Sequence, residues 1–252
     1  MGSRRPVIAG NWKMNTTLTE AVSLAKGIAA AADKHTGSDA IVIPPACFLA
    51  PVLGALQGSN VGVGAQNMHP ADKGAFTGEL SANMLKSLGV QYVVCGHSER
   101  RHIFGESSDW VGDKVLAAVT AGLRPILCVG ETLEDRDSGI TERVVGEQLL
   151  AGLRHLNATQ MGQTIVAYEP VWAIGTGLTA TDEQAQEVHA VIRARIAETS
   201  EEAAGGTRIL YGGSVKPDNA RELMSQPDVD GALVGGASLD MRVFSELIKN
   251  SI

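Results

Sequence analysis

The chain has 252 residues, 44% of them hydrophobic, enough to enclose a large core in one α/β barrel. Lys and Arg total 21 against 28 Asp and Glu, and the resulting net charge of −7 disfavours nucleic acid and membrane surfaces as partners and leaves any anionic ligand to a local site. Cys47, Cys95 and Cys128 lack CxxC spacing, which argues against a metal cage or a disulfide framework; no leader or membrane-length apolar run is readable, so a cytoplasmic protein is expected.

Short apolar, β-branched runs recur along the chain. They predict strands at 7–10, 40–43, 61–65, 92–95, 125–129, 164–168, 208–211 and 232–234. The runs are continuously apolar rather than alternating, as strands buried on both faces should be. Helical stretches separate them, at 20–32, 45–56, 81–88, 107–121, 140–156, 181–200, 216–224 and 242–250. Thr19 is the expected cap of the first. Thr181 stands three residues before Gln184, a capping-box spacing. Eight strand-then-helix units point to a single (β/α)8 TIM barrel over residues 1–252, with a doubly wound open sheet as the alternative. In a barrel, chemistry sits where the strands end.

The first strand runs into Asn11-Trp12-Lys13, so a Lys lies close to a barrel mouth; a solvated surface lysine is the plainer reading. The fourth ends in Cys95-Gly96-His97-Ser98-Glu99-Arg100-Arg101. His97 is placed either to donate to a substrate oxygen or to serve as a satisfied core histidine. The sixth ends in Tyr168-Glu169-Pro170. Pro170 holds Glu169 in extended backbone, aiming a carboxylate at the mouth, unless Glu169 is a loop residue in an ion pair. Tyr211-Gly212-Gly213-Ser214 and Val234-Gly235-Gly236 close the seventh and eighth strands. Paired glycines let backbone N–H groups approach an anion, and these two loops are the usual phosphate site of barrel enzymes. The apolar Val171-Trp172-Ala173-Ile174, followed by Gly175-Thr176-Gly177, reads as a closing lid or as a loop packed on the core.

Taken together and in this order, these motifs resemble the triosephosphate isomerase family. The likeness covers essentially the whole chain, and the stretch from Ala167 to Gly177 is its most specific part. The resemblance implies interconversion of D-glyceraldehyde 3-phosphate and dihydroxyacetone phosphate through an enediolate, in glycolysis and gluconeogenesis. It makes Glu169 the base, His97 the electrophile that polarises the carbonyl, Lys13 the charge partner of the substrate and Asn11 an orienting group. Gly175, Ser214, Gly235 and Gly236 would meet the phosphate. It also implies a neutral His97, favoured if the helical turn beginning at Ser98 depresses its pKa. No cofactor and no metal are implied. Gln66-Asn67-Met68-His69 and Gly74-Ala75-Phe76-Thr77-Gly78-Glu79 resemble the family's long third loop, which implies a homodimer through the segment around Thr77 and Gly78. Two rivals remain at this point: a Schiff-base aldolase with Lys13 as nucleophile, and a non-catalytic phosphate-binding or scaffold protein.

Overall fold

The computed structural model describes residues 4–174 and 179–251. Its eight strands are β1 (Val7–Asn11), β2 (Asp39–Ile43), β3 (Gly62–Ala65), β4 (Tyr92–Cys95), β5 (Arg124–Val129), β6 (Ile165–Tyr168), β7 (Arg208–Tyr211) and β8 (Gly231–Val234). Each pairs in parallel with the next. β8 returns to β1 with Ala9 opposite Leu233, which closes the ring. The open-sheet alternative is thereby excluded.

Alternate strand residues enter different cores. Val7, Ala9, Ile41, Val94, Ile126 and Cys128 fill the barrel interior. Ile8, Val42, Val93, Cys95, Leu127 and Val166 face the surrounding helices. Both sets are buried, so the period-two signal of a half-exposed strand vanishes from the sequence. Cys95 and Cys128 are thus small core residues on opposite sides of the barrel wall. Burial pushes the Cys95 thiol up to about 12.

The helices follow the expected order with corrected ends. The first spans Leu18–Ala32 and is capped by Thr17, not Thr19. Thr17 and Glu20 have the three-residue spacing that a capping box needs, and both of its bonds are made. The expected helix 216–224 shrinks to Ala220–Met224, because Pro217 interrupts it and Asn219 Oδ1 takes the Lys216 N–H at 2.8 Å. The segment 45–56 is a 3₁₀ turn, Ala46–Phe48, and then the α-helix Leu49–Ala55. The segment 140–156 narrows to Thr141–Leu153. Three short helices were not expected: Leu133–Asp137, Ala158–Gln163 and Glu201–Gly206. Thr181 and Gln184 form the expected box at the head of Asp182–Ala197. Among the described residues, no helix is long and apolar enough to cross a membrane.

The N-terminal ends of the strands are laced by ion pairs. Arg193 meets Asp228 at 2.5 Å and Asp230 at 2.7 Å, and Arg4 reaches Asp230 at 2.6 Å. Asp39, at the start of β2, takes Arg5 at 2.6 Å and Arg208 at 3.0 Å. These contacts tie the chain's first residues to β2 and to the residue before β8, and tie β7 to β2.

Candidate active site

At the C-terminal ends of the strands lies a cavity of about 300 Å³, lined by Asn11, Lys13, His97, Glu169, Ser214 and the Gly235-Gly236 turn. Apart from Gly175, which lies outside the described residues, every residue singled out from the sequence as a site residue lines this one cavity.

Glu169 follows β6 directly and is almost fully buried. Its backbone N–H donates to Val129 O at 2.8 Å. Gly130 and Gly212 make room for it. A side chain at Gly130 would strike the Glu169 carbonyl, and one at Gly212 would meet Glu169 Cγ at 2.8 Å. The carboxylate accepts the Ser98 N–H at 2.8 Å and the Ser98 hydroxyl at 3.3 Å, and it faces His97 Nε2 at 3.0 Å. Burial alone would raise its pKa, but His97 and the Ser98 donor outweigh it, and the carboxyl sits below its ordinary value.

His97 caps the helix Ser98–His102, and its Nδ1 accepts the Glu99 N–H at 3.2 Å. An acceptor at Nδ1 puts the proton of the neutral ring on Nε2, the nitrogen facing the cavity. The expected depression of its pKa is not found. Burial opposes the imidazolium, but the adjacent Glu169 carboxylate outweighs it and moves the pKa up. In direct contact at 3.0 Å, the two side chains stabilise each other's charge.

Lys13 lies in the left-handed region, with φ at +52°, an uncommon state for a residue with a side chain. Two amides hold it there. Asn11 Oδ1 accepts the Lys13 N–H at 3.0 Å, and Gln66 Nε2 donates to Lys13 O at 2.7 Å. The ammonium meets Glu99 at 2.8 Å.

Beside Glu169, the side chain of buried Glu131 accepts from Tyr168 OH at 3.0 Å and Trp172 Nε1 at 2.9 Å, with Arg136 at 3.3 Å. The Ser214 hydroxyl donates to Ala173 O at 3.0 Å. The stretch from Val171 to Ala173 is therefore anchored, with Ala173 fully buried. Residues 175–178, where the glycines of the expected lid fall, lie outside the described residues. Sequence reasoning missed the roles of Ser98, Glu99, Gln66 and Glu131. Ser98 and Glu99 stand in a motif already singled out, as does Gln66 at the head of the third-loop run; Glu131 carries no local signal.

A second cavity of about 410 Å³ adjoins the first and shares Asn11, Lys13 and His97 with it. Gly78 and Glu79 of the third loop line it, together with Met14 and Phe104. Met14, Phe76, Ile103 and Phe104 are exposed apolar side chains, with Met14 at 95%.

Known proteins match this arrangement along its whole length. The family model for triosephosphate isomerase matches residues 6–251. A triosephosphate isomerase of Carboxydothermus hydrogenoformans is 52% identical over 99% of this chain and all of its own. That of Chloroflexus aurantiacus is 52% identical over 97% of this chain and 98% of its own, and that of Rhodopirellula baltica 50% over 98% of each. A closed eight-stranded barrel, a carboxylate and an imidazole meeting at its mouth, and likeness of this extent place the chain in the triosephosphate isomerase family.

Proposed function

We propose that the chain, acting as one catalytic domain, interconverts D-glyceraldehyde 3-phosphate and dihydroxyacetone phosphate with Glu169 as the base and His97 as the electrophile. The observation that carries this assignment is the 3.0 Å approach of His97 Nε2 to the Glu169 carboxylate inside a cavity that Lys13 also lines. Glu169 takes a proton from the carbon beside the carbonyl, giving an enediolate. The His97 Nε2–H bond meets the oxygen that gains charge, and Lys13 adds a positive field. Return of the proton to the neighbouring carbon, with the hydroxyl proton passing between the two oxygens, completes the isomerisation without gain or loss of atoms. Substrate between the two side chains separates His97 from the carboxylate that raises its pKa. The Glu99 N–H on Nδ1 then favours the neutral ring.

Asn11 orients the substrate, and the backbone N–H groups of Ser214, Gly235 and Gly236 receive its phosphate. The Lys13 side chain, paired with the Glu99 carboxylate at 2.8 Å, is placed as a charge partner of the substrate. The exposed apolar Met14, Phe76, Ile103 and Phe104 favour a homodimer in which the third loop around Thr77 and Gly78 enters the second cavity of its partner. The reading places the enzyme in the cytoplasm.

The test is conversion of glyceraldehyde 3-phosphate by EDTA-treated protein, coupled to a dehydrogenase. Fast turnover that collapses in Glu169→Gln supports the reading. Folded protein without turnover, or a Glu169→Gln variant as fast as the parent, overturns it. Light scattering showing only monomer at micromolar concentration removes the dimer.

A further inference from the structure

The catalytic cavity carries a cation to which the reading above gives no task. Lys216 lines it beside Ser214, Gly235 and Gly236, with its side chain exposed. Its backbone is fixed. Val215 before it is buried, and Pro217 after it confines it to extended backbone. Asn219 accepts its N–H at 2.8 Å, and Asn250 Nδ2 donates to Pro217 O at 3.0 Å. The pinned backbone keeps the root of this flexible side chain at the cavity rim.

The other charges on the cavity are engaged. Lys13 is held by Glu99, and Glu169 faces His97. Among the described residues, Lys216 has no carboxylate partner. The molecule carries −7, so a phosphate dianion approaches against the overall field and depends on a local cation.

We propose that Lys216 is a phosphate-steering residue, whose ammonium draws the phosphate dianion of the substrate to the cavity mouth and adds a charged contact to the backbone N–H groups there. This deepens the assignment of the cavity as the triose phosphate site and rests on it.

The experiment compares the parent with Lys216→Gln and Lys216→Arg. It measures kcat and KM for glyceraldehyde 3-phosphate and for unphosphorylated glyceraldehyde, and the affinity for inorganic phosphate by ³¹P NMR titration. At low ionic strength, Lys216→Gln lowers the kcat/KM ratio of the phosphorylated to the unphosphorylated substrate by about threefold to tenfold, mainly through KM, as expected for one charge several ångströms from a dianion. Lys216→Arg restores it. The deficit closes as the salt rises from roughly 0.01 M to roughly 1 M, where the Debye length falls from about 30 Å to about 3 Å. An unchanged ratio, or a loss that persists at high salt, overturns the proposal. So does inorganic phosphate binding that is equal in parent and Lys216→Gln. Phosphate binding that depends on Lys216 in a protein with no isomerase turnover supports the steering role and instead sinks the assigned reaction.

Discussion

At the N-terminal ends of the strands, Arg4, Arg5, Arg193 and Arg208 are matched against Asp39, Asp228 and Asp230, and the pairs bind the chain to itself. At the C-terminal ends, Lys13, Lys216, His97 and Glu169 line a cavity, on backbone that is strained at Lys13 and crowded to glycine around Glu169. Charged side chains therefore do two jobs, and place on the barrel decides which. Charges at one end should govern whether the molecule stays folded, and charges at the other how fast it works.

Substitutions at the two ends should separate cleanly. Glu169→Gln is expected to cost about 10²–10⁴-fold in kcat, the range of a placed base. Its urea midpoint should fall less than that of Arg193→Ala, since only the contact with His97 is lost; a larger fall would erase the contrast. Arg193→Ala takes from Asp228 its ion-pair partner and from Asp230 one of two, since Arg4 remains, and is expected to destabilise by up to about 3–5 kcal/mol. Turnover per folded molecule should persist, and a variant as stable as the parent would show that the lower network is ornamental.

His189 tests the wall between the ends. It is fully buried against Tyr168, and its Nδ1 lies 3.2 Å from Asp228 O. Burial pushes its pKa down to about 4. Below about 6.5 the unfolded chain binds a proton that the folded chain refuses, so stability falls as the pH drops from about 6.5 towards 4, by roughly 3 kcal/mol in all. Urea midpoints at pH 7.5 and pH 5 should differ less in His189→Gln than in the parent, and an identical difference would clear His189 of the effect. The smallest change expected is about 1 kcal/mol for Thr17→Ala, which deletes the first helix cap. Thermal unfolding reads it, and Thr19→Ala should move nothing by comparison.

That cap shows how far the sequence could be read. The strands were legible because two buried faces leave an unbroken apolar run, and two of them, Tyr92–Cys95 and Arg208–Tyr211, have the bounds expected. Thr17 was legible too, since its spacing to Glu20 matches a capping box and that of Thr19 does not. The helices Leu133–Asp137 and Ala158–Gln163 are too short to show a helical period, though each has a box at its head. In the site, residues at strand ends were visible because topology alone puts them at the mouth. Their supports were not. Lys13 and Glu99 are 86 residues apart, Ser98 and Glu169 71, and Glu131 and Trp172 41, and no local pattern links residues so distant. The raised pKa of His97 was unreadable for the same reason, because it depends on a carboxylate brought in by another strand.

The closure of β8 onto β1 reaches beyond catalysis. A ring of strands has no first or last member, so every strand finds both neighbours within the chain. Among the described residues there is no open ladder on which a foreign strand could grow. Self-association of this molecule must therefore run through side chains on loops and helices, where it can be specific, reversible and limited in number.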